Sequence, residues 1–279
     1  MTGPGAIGGG TLWLVATPIG NLGDLAPRSI EVLANAALVC CEDTRRTGRL
    51  LQHAGIRAPR LAVANEHTEF HRIADVLDVL GSGGDVAVVT DAGTPGVSDP
   101  GERLVRAAID AGYGVAAVPG PVAAITALII SGLPTDRYVF EGFLPRSGRE
   151  RTRRLAEIAA EPRTIVLYEA PHRIARTVAD LEAACGGDRR LAVCRELTKL
   201  HEQVVRGTLA EIELGEPRGE YVIVLAGAPV DNGPVAEETI RLALEIELAG
   251  GSTKKDAVST VATTLAVPKK RVYAISIDK

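Results

Sequence analysis

Short apolar, β-branched runs alternate with segments of helical apolar spacing through the first half of the chain. Leu12–Ala16, Ala37–Cys41, Arg60–Ala64, Val86–Val89 and Gly114–Val118 read as strands. Between them the spacing predicts a helix from Pro27, with Ile30, Leu33 and Ala37 on one face, and another to about Ala54. Further helices are predicted over Phe70–Leu80, over Glu102–Ala111, and as an apolar segment from Pro121 to Gly132. This βα alternation implies a mostly parallel sheet with helices on both faces. Beyond Gly132-Leu-Pro134, strands Tyr138–Phe143, Thr164–Tyr168, Leu191–Arg195 and Tyr221–Leu225, with a helix over Pro171–Ala184, predict a second, smaller α/β domain. Ala228–Pro234 reads as a linker to a helical tail. The expected division is a disordered extension over 1–11, α/β domains over 12–134 and 135–228, and a helical module over 229–279.

The strand Val86–Val89 runs into Asp91-Ala-Gly-Thr-Pro-Gly-Val-Ser-Asp-Pro-Gly101, after which Glu102 starts a helix. A bare strand-to-helix connection needs about four residues, and this one spends more. Gly93, Gly96 and Gly101 allow close approach of backbone to ligand, Pro95 and Pro100 fix the path, and Asp91, Thr94, Ser98 and Asp99 add polar atoms. Open α/β sheets hold ligands at the carboxyl ends of parallel strands. Thr17–Asp24, Glu42–Thr47 and Val118–Pro121 also follow strands, so these loops and the central one share an edge and converge on one cleft.

Charged groups change the picture in several places. Glu42, Asp43, Arg45 and Arg46 follow an apolar strand. They read either as a solvated helix start capped by Asp43, or as a substrate-facing carboxylate with phosphate-binding arginines. Tyr168-Glu-Ala-Pro-His-Arg173 and Arg195-Glu-Leu-Thr-Lys-Leu-His-Glu202 end strands in charges of both signs, more than a structural strand end requires. Arg146, Arg149, Arg151, Arg153 and Arg154 form a basic run, either a solvated helix face or a phosphate-contacting one. In the tail, Ala257, Val258, Val261 and Leu265 recur at helical spacing behind a cap at Ser252 or Thr253. Ala266-Val-Pro268 breaks that helix and Pro268 opens another, the outline of a helix-turn-helix. Lys254, Lys255, Lys269, Lys270 and Arg271 start the two helices; the tail either reads RNA or only packs.

An apolar fraction of 46%, a charged fraction of 24% and a net charge of −4 describe a soluble globular protein with no global mark of nucleic-acid binding. Cys40, Cys41, Cys185 and Cys194 lack C-x-x-C spacing and read as buried free thiols of a reducing cytoplasm, with no metal site. The glycine-rich start is not a signal peptide, and the apolar run Ala123–Ile130 is too short to cross a membrane. No G-x-S-x-G elbow, P-loop lysine or H-E-x-x-H is present, which argues against serine hydrolysis, Walker-type phosphoryl transfer and zinc chemistry.

Thr17-Pro-Ile-Gly-Asn-Leu-Gly-Asp24, Cys41-Glu-Asp-Thr-Arg45, Asp91–Gly101, Val118-Pro-Gly-Pro121, Glu141-Gly-Phe-Leu-Pro145, Tyr168–Arg173 and Arg195-Glu-Leu-Thr-Lys199 occur in order. Together, from Leu12 to Gly227, they resemble the ribosomal RNA small-subunit methyltransferase I family of the tetrapyrrole methylase superfamily. The resemblance implies S-adenosylmethionine held in a cleft between two α/β domains of a homodimer. It implies methylation of a cytidine ribose 2′-oxygen in the decoding region of 16S ribosomal RNA within the 30S subunit. It places Pro18, Asp91, Ala92, Gly93, Thr94, Val97 and Ser98 at the donor pocket, completed by Val122, Ala123, Ala124, Tyr168, Glu169, Gly219, Glu220 and Tyr221. Such chemistry needs a proton acceptor, for which Glu42, Asp43 and Glu196 are candidates, and Lys199 or Arg195 is placed to stabilise the oxyanion. It requires no metal. A relative acting on a tetrapyrrole or corrinoid precursor is the alternative.

Overall fold

The structure, a computed structural model, describes residues 9–57, 59–65, 67–229, 235–265 and 267–277. It separates into two compact units, residues 1–228 and 229–279. In the larger unit, β1 (Thr11–Val15), β2 (Leu38–Cys41), β3 (Arg60–Val63), β4 (Val86–Val88) and β5 (Gly114–Val118) form one sheet in the order β3-β2-β4-β1-β5. Every pairing in it is parallel. The strands β2 and β4 are wholly buried, as continuous apolar runs in a parallel sheet require. Helices α1 (Pro27–Asn35), α2 (Thr44–His53), α3 (Glu69–Gly81) and α4 (Glu102–Asp110) make the crossovers. Apolar clusters fill both faces, one around Leu12, Leu80 and Leu104, the other around Val15, Leu33 and Leu51. Ala37, expected on the face of α1, lies past its end, where its N–H bonds Asp85 O.

The helix α5 (Ala123–Ser131) leaves this sheet and packs on the next one. Its Ala124, Ala127 and Leu128 share a core with Val166, Cys194, Val222 and Val224. That explains a helix apolar nearly all round. The second sheet, β6-β7-β10-β8-β9, comprises β6 (Tyr138–Phe143), β7 (Thr164–Glu169), β8 (Arg190–Arg195), β9 (Gln203–Thr208) and β10 (Tyr221–Leu225). Only β6 and β7 pair parallel; β10 runs antiparallel between β7 and β8, and β9 hangs antiparallel on the edge. The sequence reading missed β9. The helices α6 (Gly148–Ala160) and α7 (Ile174–Cys185) join its strands. Pro171 does not open α7 as expected: Pro171–Arg173 form a turn ahead of Ile174.

Two terminal expectations need comment. Residues 1–8 of the glycine-rich start lie outside the described residues, but Gly9 to Thr11 are ordered, which corrects the proposed disorder to residue 11. Gly10 N bonds Leu80 O and Thr11 begins β1. At the other end, the linker at 230–234 and the helix break at Ala266 also fall outside the described residues. The smaller unit holds α8 (Glu237–Ala249), α9 (Lys254–Thr264) and α10 (Lys269–Ile277) around Ile240, Leu244, Val258, Val261 and Val272.

Candidate functional site

Because all five strands of the first sheet are parallel, the loops after β1, β2, β4 and β5 leave by the same edge. They meet the ends of β7 and β10 at a cleft of about 390 Å³. Ile19, Glu42, Arg46, Asp91–Thr94, Val97–Asp99, Val122 and Ala123 line one side. Phe143, Tyr168–Pro171, Leu197 and Glu220–Val222 line the other. Thus twelve of the expected donor-pocket residues are brought together: Asp91, Ala92, Gly93, Thr94, Val97, Ser98, Val122, Ala123, Tyr168, Glu169, Glu220 and Tyr221. Three are not on its wall. Pro18 lines a neighbouring cavity, Ala124 offers its N–H to Tyr168 Oη, and Gly219 lies against the Glu196 side chain.

The central loop is held from three directions. Gly93 and Thr17 exchange backbone hydrogen bonds of 3.1 and 2.8 Å, tying it to the loop after β1. Thr94 Oγ1 donates to Pro121 O. At its far end buried Glu69, from α3, accepts from Gly101, Arg103 and Leu104 N–H at 3.0, 3.0 and 3.2 Å. That carboxylate caps α4 from a distant segment, satisfying its orphan donors. Ser98 sits at φ 62, in a region that costs a non-glycine residue energy. The opposite wall carries Tyr168, edge-on to Phe140 at 5.0 Å and tilted against Phe143 at 5.6 Å.

Five carboxylates line the cleft (Glu42, Asp91, Asp99, Glu169, Glu220) against one guanidinium, Arg46. Arg46 bonds Asp91 Oδ2 at 3.1 Å, while Asp91 Oδ1 is buried without a hydrogen-bond partner among the described residues. Such a pocket favours a ligand with cationic or hydrogen-bond-donating groups and disfavours an anion. Asp99, which the sequence marks only as a polar atom of the loop, has its pKa pushed up to about 7, first by burial and then by the charges of Glu42 and Asp91.

The structure redistributes the other candidates. Asp43 caps α2 through Arg45 N at 2.8 Å and grips the Arg45 side chain; these bonds hold its pKa down to about 2. It does not line the cleft. Glu196 and Lys199 pair at 2.8 Å, and Lys199 also reaches Glu220 at 2.8 Å. Burial alone would raise Glu196, but the bonds from Lys199 and from Glu220 N outweigh it and its pKa falls. Burial likewise opposes the Lys199 charge, yet its two carboxylate bonds raise its pKa. This pair therefore reads as a lock between loops. A Cβ on Gly20 would clash with Lys199 Cγ, so only glycine lets the loop after β1 approach it. A second cavity of about 430 Å³ borders the cleft and shares Arg46 and Asp91 with it. Arg49, Leu22 and Leu50 line it beside Pro18, and sequence reading had singled out none of these three.

Arg151 is a correction. Expected at an RNA surface, it is 4% exposed and bonds Asp180 Oδ2, Pro145 O and Thr177 Oγ1. It belongs to the inward stripe of α6 with Leu155 and Ile158. Arg153 is spent on Glu150 and Glu157, and Arg154 on Glu141 and Glu157. Arg146 and Arg149 are exposed and make no ion pair among the described residues. Arg151→Ala is expected to cost about 3 kcal/mol in urea unfolding, since it removes a buried guanidinium and its bonds to Asp180, Pro145 O and Thr177, leaving Asp180 only Arg176 at 3.7 Å. Arg149→Ala should stay within about 0.5 kcal/mol.

Among the described residues no three His, Cys, Asp or Glu converge to hold a metal ion, and no helix is long and apolar enough to cross a membrane.

Residues 11–213 match the model of the tetrapyrrole (corrin/porphyrin) methylases. A ribosomal RNA small subunit methyltransferase I from Synechocystis is 46% identical, the alignment covering 96% of this chain and 98% of that protein. Its namesakes from Pseudomonas aeruginosa and Mycobacterium tuberculosis are 43% and 46% identical, over 97% and 91% of this chain and 98% and 89% of theirs. Among solved structures, the methyltransferase CobJ superposes with TM-score 0.60 at 20% identity, over 79% of this chain and 95% of its own. Uroporphyrin-III C-methyltransferase from Thermus thermophilus, complexed with S-adenyl homocysteine, does so with TM-score 0.54 at 17% identity, over 78% and 97%.

Proposed function

The chain belongs to the tetrapyrrole methylase family and, within it, to the ribosomal RNA small subunit methyltransferase I family; on that premise we propose that it methylates 16S ribosomal RNA. The donor is S-adenosylmethionine and the acceptor the ribose 2′-oxygen of a cytidine in the decoding region, presented by the 30S subunit. The observation that carries this reading is the cleft: acidic, apolar-walled, and built by the loop Asp91–Asp99 with the ends of β7 and β10. It fits a donor with a sulfonium and an ammonium, and the unpartnered Asp91 Oδ1 offers such a molecule an acceptor.

Bound there, the donor supplies an electrophilic methyl carbon. The chain's own task is to hold the acceptor oxygen in line with it, and orientation of this kind supplies a large share of the acceleration. The neighbouring cavity suits a nucleotide: Arg46 and Arg49 for phosphate, Pro18, Leu22 and Leu50 for a base face. Exposed Arg146 and Arg149 are further cations open to phosphate. The outward Ile125 and Ile129 of α5 offer an apolar strip to a second copy in a homodimer. Against a tetrapyrrole or corrinoid acceptor stands the extent of the likeness. The solved methyltransferases named above account for 78–79% of this chain, whereas the ribosomal RNA relatives account for 91–97%.

The test is transfer of labelled methyl from S-adenosylmethionine to 30S subunits, to uroporphyrinogen and to naked oligonucleotides. Label is expected only in 16S RNA from 30S subunits, in one alkali-resistant dinucleotide containing 2′-O-methylcytidine. Transfer to the tetrapyrrole, or to a base carbon or nitrogen, would sink the reading.

A further inference from the structure

We propose that Phe143 is the platform on which the base of the acceptor nucleotide stacks, an assignment that rests on the reading of the cleft as a ribosomal RNA methylation site. The ring owes its position to a β-bulge. Phe140 lies opposite Val166 and Phe143 opposite Tyr168, so three steps along β6 span two along β7. In a regular strand, residues three apart point to opposite faces. The extra residue turns Phe143 back to the face of Phe140, and both rings meet Tyr168, with centres at 5.0 and 5.6 Å. Gly142 makes this possible. It sits at φ 61, and a Cβ on it would come to 3.1 Å from Ser98 Oγ in the central loop. Glu141, the displaced residue, reaches Arg154 of α6 at 3.3 Å.

The bulge aims an aromatic ring at the cleft without burying it. Phe143 lines the cleft and is 52% exposed, while Leu144 beside it is buried. A ring kept only for packing gains little from such a place, because half its apolar surface stays in water. The backbone that carries it is held fast. Arg173 Nη2 donates to Leu144 O at 2.6 Å, and Arg151 Nη1 donates to Pro145 O at 2.9 Å. A flat group landing on Phe143 therefore meets a preorganised face, and little ordering has to be paid for.

Donor and acceptor compete for this ring, and charge separates them. The donor is cationic, and the carboxylates of the cleft suit it. Phe143 leads instead, three and six residues on, to Arg146 and Arg149, both exposed and without an ion pair among the described residues. Cations beside an open aromatic face repel a sulfonium and draw phosphate, the combination that binds unstacked single-stranded RNA. A ribose hydroxyl reaches a methyl group inside a cleft only when its nucleotide leaves the base stack, and the freed base then needs a new face to lie on. Phe143 offers that face on the wall opposite Arg46, leaving the neighbouring cavity beside Arg46 to an adjacent nucleotide. Every base has a π-face, so the ring orients the acceptor and does not select cytosine.

The test is single-turnover methyl transfer to 30S subunits at saturating S-adenosylmethionine, with subunit concentration varied. Wild type is compared with Phe143→Ala, Phe143→Leu and Phe143→Tyr, each shown to be folded by a thermal melt. Phe143→Ala and Phe143→Leu should lower the plateau rate at least about tenfold, within the range of one lost base stack. The half-saturating subunit concentration should shift by less than about threefold, because phosphate contacts elsewhere dock the subunit. Phe143→Tyr keeps a planar face and should stay within about threefold of the wild-type plateau. A wild-type plateau in Phe143→Ala or in Phe143→Leu overturns the proposal, the ring then being no more than an apolar filler. A Phe143→Tyr as slow as Phe143→Leu overturns it too. So does a loss seen only below saturating donor, which assigns the ring to the donor's adenine. A wild type inert toward 30S subunits overturns it together with the functional reading.

Discussion

Gly93→Val gives a folded protein that has lost its methyl-donor site. Gly93 lies on the cleft wall at φ +86, where valine, branched at Cβ, is a strained occupant. Space is not the main obstacle. A Cβ there would come to 3.4 Å from Ile19 Cγ2 and 3.9 Å from Pro121 O, ordinary contact distances. The backbone is. Relieving φ requires rotation within a residue whose N–H and C=O both bond Thr17, so the bridge to the loop after β1 opens. Asp91, Thr94 and Ser98 then move together. The variant should lose about 1–3 kcal/mol of stability, the usual size of one strained backbone site, and remain folded. Its S-adenosylmethionine affinity should fall at least about 100-fold, or 2.7 kcal/mol. Gly93→Ala should lie between. Calorimetry and a thermal melt on the same samples check both; undiminished affinity in folded Gly93→Val removes the central loop from the donor site.

That loop was legible because a buried parallel strand followed by glycines and prolines has few other uses. The shared edge followed from the βα alternation alone. What escaped the sequence did so for physical reasons. The edge strand β9 is half-exposed, so its apolar signal is weak although it follows its partner β8 directly in the chain. The Glu69 cap on α4 joins segments with no local signature. Asp99 looks in the sequence like a second Asp91; its distinction appears only when the fold sets Glu42 and Asp91 beside it and gives the guanidinium to Asp91. Arg151 is different, because its signal was present. At helical spacing it falls in line with Leu155 and Ile158, and reading the basic run as charge rather than by period hid that.

The second large effect belongs to the helical unit. Lys254 and Lys255 start α9, and Lys269 and Lys270 start α10; all four are exposed and make no ion pair among the described residues. Cations at a helix N-terminus oppose the helix dipole, each costing about 0.3–1 kcal/mol. The fold does not need them: Thr253 already caps α9 by accepting from Asp256 N, and Arg271 bonds Val235 O, so it is tied within the unit. Two lysine pairs kept against the dipole, beside the free N–H groups of two helices, suit phosphate oxygens. Reversing all four to glutamate should therefore leave melting unchanged or raise it, because acids now face the positive helix ends. Donor affinity should be unaltered. Binding to 30S subunits should weaken by at least about 100-fold at physiological salt. The slope of log affinity on log salt should flatten by about three, four released phosphate contacts at about 0.7 each on single-stranded RNA. If the unit only packs, that slope stays at its wild-type value, and an unchanged slope in a folded, donor-binding variant rules out these lysines as phosphate contacts.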